Sequence, residues 1–145
     1  MSSTRLFPIE INNLKHIELL DKFEKNNKLE IPIGFFKRKE EISSNNDICM
    51  ELVLQEKEQI EDICHLSGYK DIKSCTISFV KKDKKNRKIF DMATNYALNT
   101  LGMEEVFINI NPEDKETINY FISNNYECLG NEKGSIIFLK EKEYW

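Results

Sequence analysis

The spacing of apolar positions changes several times along the chain, and each change predicts a new element. Leu6, Phe7, Ile9 and Ile11 predict a short first strand, with Pro8 tolerable near a sheet edge. Asn12 or Asn13 can cap the helix that follows, in which Leu14, Ile17, Leu20 and Phe23 recur at helical spacing. Lys15, Glu18, Asp21, Lys22 and Glu24 fall on its outer side, and it frays at Asn26-Asn27. The next stretch, KLEIPIGFFKRKEEISSNND, sets an apolar knot beside a charged run and a Ser/Asn-rich loop. Pro32 and Gly34 discourage a long regular element there.

Strands return at Cys49–Leu54, at Ile60–Leu66 and at Ser74–Val80. A turn over EKEQ separates the first two, and a break at Ser67-Gly68 ends the second. After the polar run KKDKKNRK, a helical stripe of Ile89, Ala93, Tyr96, Ala97, Thr100 and Leu101 closes at Gly102, a residue suited to a left-handed C-cap. Val106–Ile110 is apolar enough to predict a strand buried on both faces. Asn111 as cap, Pro112 at the first position and Glu113, Asp114 and Glu116 in the first turn predict a helix whose inner face is Ile118, Phe121 and Ile122. ECLG and GSIIFLK form a closing hairpin. No repeat or linker interrupts the pattern, so residues 1–145 are expected to form one domain.

Composition narrows the function classes. With 145 residues, 40% hydrophobic and 32% charged, the chain can fill one sizeable core. A formal net charge of −4 argues against a protein dedicated to nucleic acid. No apolar run approaches the ~20 residues that cross a bilayer, and MSSTRLFPIE lacks a signal-peptide core, so no membrane role is expected and the expected compartment is the cytosol (cytoplasmic). Cys49, Cys64, Cys75 and Cys128 never approach C-x-x-C spacing, and three of them sit in apolar segments, which predicts buried, reduced thiols. His16 and His65 have no short ligand spacing around them, and no metal is expected.

From Ser74 onward the order of elements and several phrases resemble the GCN5-related N-acetyltransferases. Leu101-Gly102-Met103 stands where that family steps from helix to strand. Tyr120 to Tyr126, YFISNNY, stands where it carries a phrase like Leu-Tyr-Glu-Lys-Leu-Gly-Phe, with Asn125 in the place of the glycine and Tyr126 in the aromatic place. The resemblance implies a mixed α/β fold, a mostly antiparallel sheet of six or seven strands with helices on both faces. It also implies direct transfer of an acetyl group from acetyl-CoA (or another acyl-CoA) to an amine, carried by a small molecule or by a protein terminus or lysine. A homodimer is an open alternative to a monomer.

Two departures bear on the site. The family's acyl-CoA loop is a glycine-rich turn, whereas this chain has Lys81-Lys82-Asp83-Lys84-Lys85-Asn86-Arg87-Lys88, without glycine. Such a run is a Lys-rich phosphate loop or a solvated connection. Cations at a helix N-terminus oppose the dipole by ~0.3–1 kcal/mol each unless an anion binds there. The family's proton-donating tyrosine falls on Phe121, leaving neighbouring Tyr120 as the candidate acid. The resemblance thus assigns Phe79, Val80 and Lys81 to the strand end facing the acyl group, and Lys84, Lys85, Asn86, Arg87 and Lys88 to the phosphates. Glu51, Glu56 and His65 are candidate bases or ordinary strand and surface residues. The alternative function is a non-catalytic, degenerate member acting as a binding or protein-interaction module.

Overall fold

The computed structural model describes residues 4–10, 12–27, 48–79 and 87–143; the side chains of residues 24, 26 and 27 are not among them. The elements run β1 (Thr4–Pro8), α1 (Leu14–Asn27), β2 (Ile48–Glu56), β3 (Gln59–Tyr69), β4 (Ser74–Phe79), α2 (Lys88–Asn95), β5 (Glu105–Ile110), α3 (Lys115–Ser123), β6 (Glu127–Glu132) and β7 (Ser135–Glu141). The seven strands form one sheet in the order β1-β2-β3-β4-β5-β7-β6. Every neighbouring pair is antiparallel except β4–β5, which is parallel. The mixed, mostly antiparallel architecture is the one the family resemblance implied. The stretch read as an apolar knot and loop, residues 28–47, lies outside the described residues.

Each face of the sheet has its own core. On one, Leu52, Leu54, Leu66, Ile77, Ile108 and Phe138 pack with Ile89, Phe90 and Ala93 of α2 and Phe121 of α3. On the other, Leu19, Leu20 and Phe23 of α1 cover Val53, Ile60 and Ile63. The Asn13 side chain caps α1, accepting from the backbone N–H of Lys15 at 3.1 Å and of His16 at 3.3 Å. Leu14 is 80% exposed, so the buried stripe begins only at the second turn, around Leu19.

Two strand boundaries and the alternation within β3 differ from the sequence expectation for local reasons. β1 ends at Pro8, short of Ile9, although the Ile9 N–H still reaches the Glu51 carbonyl at 2.9 Å. In β3 the irregular apolar spacing reflects a bulge. Leu54 pairs with Asp62 and Gln55 with Ile60, so Glu61 is an extra residue that returns Ile60 to the face of Ile63. β3 also continues through Ser67-Gly68 instead of breaking there, because bare Gly68 lets β4 lie close alongside.

The helices are corrected at their ends. Beyond Asn95 the chain widens into a π-helical turn, Tyr96–Thr100, in which the Leu101 N–H bonds the Tyr96 carbonyl at 3.0 Å. The extra residue per turn rotates Leu98 inward and leaves Thr100 exposed, reversing the expected stripe at its end. Gly102 then stops the helix at φ 72°, as expected. α3 starts at Lys115, three residues later than expected. Asn111 accepts from the Glu113 N–H at 2.9 Å in a preceding turn, and Asp114 is the cap, bonding the Thr117 N–H at 3.3 Å. Its buried residues are Thr117 and Phe121, while Ile122 is 53% exposed. β5 alternates between buried and half-buried positions instead of being sealed on both faces. Of the three cysteines in apolar segments, Cys64 and Cys75 are buried free thiols, as expected, and Cys49 is only half-buried; Cys128, outside those segments, is exposed. Among the described residues, no helix is long and apolar enough to cross a membrane.

Candidate active site

The parallel pair β4–β5 organises the site. Parallel strands carry their carboxyl ends to one edge, and here the register runs from Ser74 opposite Glu105 to Ser78 opposite Asn109. Phe79, the last residue of β4, stays opposite Cys64 of β3. Its ring packs edge-on to Phe90 at 4.9 Å and stacks toward Phe121 at 6.5 Å, so the strand end is seated in the aromatic core. Val80, Lys81, Lys84, Lys85 and Asn86 lie outside the described residues.

Arg87 and Lys88 open α2, and the Arg87 side chain at the N-cap position makes no capping bond among the described residues. Such an end presents backbone N–H groups and partial positive charge to whatever lies beyond it. The Arg87 guanidinium sits 5.5 Å from the centre of the Tyr120 ring, within cation–π range. Lys88 Nζ is 2.7 Å from Glu56 Oε1 at the end of β2. Two cations of the basic run are thus placed at the helix start, one on an aromatic face and one beside a carboxylate.

Tyr120 lies on α3 with its ring 5.2 Å from that of Phe90 and its hydroxyl donating to Asp91 Oδ2 in the first turn of α2. Burial is the main reason its hydroxyl is pushed up to about 12; the hydrogen bond and negative charge of Asp91 add to it, and Arg87 opposes them. Tyr126 reaches the same carboxylate, donating to Oδ1 at 3.0 Å, and lies 3.1 Å from the hydroxyl of Thr94. Burial raises the Tyr126 hydroxyl further, the Thr94 contact opposing and the Asp91 charge reinforcing. Phe121, by contrast, is fully buried, with rings of Phe90, Tyr126 and Phe138 at 4.9, 4.6 and 5.3 Å.

Of the three candidate bases, two come together on the opposite face. His65 Nδ1 is 2.8 Å from Glu51 Oε1 across the β2–β3 pair. Glu56 is apart from them, held by Lys88.

No protein-family model matches the chain, and no curated protein matches it in sequence. Solved structures do match. The N-acetyltransferase PseH of Campylobacter jejuni, in complex with acetyl coenzyme A, superposes with a TM-score of 0.70 at 16% identity, over 97% of this chain and 100% of that one. PaiA N-acetyltransferase of Thermoplasma acidophilum, in complex with coenzyme A, gives 0.65 at 11% identity, over 97% and 99%. Spermidine N-acetyltransferase of Vibrio cholerae, in complex with CoA and spermine, gives 0.62 at 7% identity, over 94% and 92%. The fold is that of the GCN5-related N-acetyltransferases.

Within the acetyltransferase fold, the chain's own variations stand out. The aromatic position of the closing phrase, Tyr126, carries a hydroxyl that is used internally. The left-handed step before it is taken by Asn125 at φ 66°. Asp91 and Thr94 were not singled out by sequence, and Tyr126 was read only as the aromatic of the closing phrase, not as a hydrogen-bonding group. Asp91 and Thr94 share a helix face at i, i+3 spacing, which is a signal of proximity. Their meeting with two tyrosines from beyond β5 is tertiary and has no local signature.

Proposed function

We propose that the chain is an acetyl-CoA-dependent N-acetyltransferase that moves the acetyl group directly to an amine. The observation that carries the reading is the acetyltransferase fold over 97% of the chain, matched to a protein solved with acetyl coenzyme A. The chain's own residues suit that cofactor. A helix N-terminus whose N-cap Arg87 makes no side-chain cap among the described residues, preceded in sequence by KKDKKN and followed by Lys88, offers N–H donors and cations to phosphates. Lys84, Lys85, Asn86, Arg87 and Lys88 would hold the phosphates. Backbone groups from Phe79 to Lys81 would face the acyl group, where a donor is needed for the developing oxyanion.

Tyr120 is the residue proposed to deliver a proton to the departing sulfur. An acid for this step must hold its proton at neutral pH, as any phenol does; burial and Asp91 push the Tyr120 hydroxyl up and make it a weaker donor, so its case rests on its place on α3 against the first turn of α2. Asp91 fixes its orientation. The acceptor is an amine on a small molecule or on a protein terminus or lysine. A second reading, a non-catalytic module of the same fold, draws on two observations: Phe121 fills the core where the family places its acid, and no glycine occurs between Phe79 and Arg87.

Calorimetric titration with acetyl-CoA at low and moderate salt, beside a Lys84→Ala/Lys85→Ala variant, tests the proposal. Saturable binding that weakens with salt and in the variant supports it. Absence of heat at high protein concentration favours the module.

A further inference from the structure

We propose that His65 is the base that takes the proton from the acceptor amine, and that Glu51 positions it. The inference rests on the acetyltransferase reading above. Four residues on adjacent strands share one register row: Glu51 opposite His65, His65 opposite Ser78, and Ser78 opposite Asn109. Cross-strand partners project to the same face, so four polar side chains cross the sheet on one line. It is the face that carries α1, since Val53 and Ile63, two residues along from Glu51 and His65, pack beneath that helix. The opposite face is filled by the core of α2 and α3. The row includes Ser78–Asn109, the last position of the β4–β5 register, where the proposed acyl group would lie.

The pair has the chemistry of a base and its support. A carboxylate only accepts, so the 2.8 Å contact places the hydrogen on His65 Nδ1 and leaves the lone pair on Nε2. The Glu51 side chain is 3% exposed and that of His65 19%, so the carboxylate is sealed while part of the His65 side chain remains accessible. A buried carboxylate behind an imidazole fixes its tautomer and stabilises the imidazolium that forms on protonation.

The step balances as follows. The ammonium form of the acceptor gives one proton to His65 Nε2, which passes it to solvent. The freed lone pair forms the C–N bond at the acyl carbon, the C–S bond breaks with its electron pair on sulfur, Tyr120 gives the sulfur its proton, and the second nitrogen proton restores the tyrosine. The net product is an amide, a thiol and one solvent proton.

The experiment measures acetyl-CoA affinity and thiol release from acetyl-CoA, with water and with benzylamine as acceptors. The proteins are the wild type, His65→Gln, His65→Ala and Glu51→Gln. The expected result is unchanged affinity, thiol release down about 100-fold in both His65 variants, and a smaller fall in kcat at constant KM in Glu51→Gln. Added imidazole should restore His65→Ala, which also shows that this variant is folded. Wild-type rates in His65→Gln, no rescue by imidazole, or a wild type that binds acetyl-CoA yet releases no thiol would each overturn the assignment. A wild type that fails to bind acetyl-CoA overturns the underlying acetyltransferase reading, and this inference with it.

Discussion

The hydroxyl of Tyr126 donates to Oδ1 of Asp91 at 3.0 Å, while Tyr120 takes the other oxygen of that carboxylate. One side chain in the first turn of α2 therefore ties down α3 and the entry to β6. Asp91→Asn leaves one acceptor for two phenols and turns a donor toward the other. Losing a buried partner costs about 1–3 kcal/mol. A lower urea midpoint for Asp91→Asn is the expected outcome, and a wild-type midpoint would refute the account.

The same cluster makes stability pH-dependent on the alkaline side. Tyr120 is raised from 10.0 to about 12, Tyr126 is raised as well, and burial raises the Cys75 thiol from 9.0 to about 12. Between the unfolded and folded values, the folded state holds protons that the unfolded chain has lost, so stability falls as pH rises. The contribution is complete below about pH 9 and drains away toward about pH 12. Urea midpoints at about pH 8 and about pH 11 should show the loss, and Tyr120→Phe should make it smaller.

Restoring the family's tyrosine at its aligned place should not help. Phe121 is fully buried among the rings of Phe79, Phe90, Tyr126 and Phe138. A hydroxyl added there without a partner costs about 1–3 kcal/mol. Phe121→Tyr is expected to lower the melting temperature without raising thiol release from acetyl-CoA; a gain in turnover would return the acid to this position.

Periodicity and turn chemistry made most elements legible. Gly102 and Asn125 declared their left-handed steps, and the β-branched run of Ser74–Val80 declared β4. What stayed hidden depends on neighbours absent from the local sequence. The bulge at Glu61 disguised the alternation of β3, and the π turn moved Leu98 into the core. Asp114 outcompeted Asn111 as cap because its carboxylate also accepts the Thr117 hydroxyl, at 2.7 Å. At the site, Arg87 and Lys88 were legible as cations, but the partners that hold them, Tyr120 and Glu56, come from other elements.

Gly68 shows how one residue was misread for a physical reason. A glycine after serine reads as a strand break, yet here it sits inside β3 opposite Cys75. A Cβ would collide with the Ser74 carbonyl oxygen and come within 2.6 Å of Cys75 Cβ. Gly68→Ala must push β4 away and should destabilise by about 1–3 kcal/mol. An unchanged unfolding midpoint would mean that the two strands are less tightly apposed than described.

Glu56 offers a test of the basic run that leaves its lysines intact. Its carboxylate lies 2.7 Å from Lys88 Nζ, with the two side chains 24% and 53% exposed. A pair this accessible contributes only about 0–1 kcal/mol to stability, so Glu56→Gln should barely move the unfolding midpoint. It does remove a negative charge that competes with phosphate for Lys88. If the start of α2 receives the cofactor phosphates, Glu56→Gln should tighten acetyl-CoA binding at low ionic strength, and salt should erase the gain. Lys88→Gln should weaken binding under the same conditions. Calorimetry that finds both variants at wild-type affinity would place the phosphates away from Lys88 and leave its contact with Glu56 as a structural tie between β2 and α2.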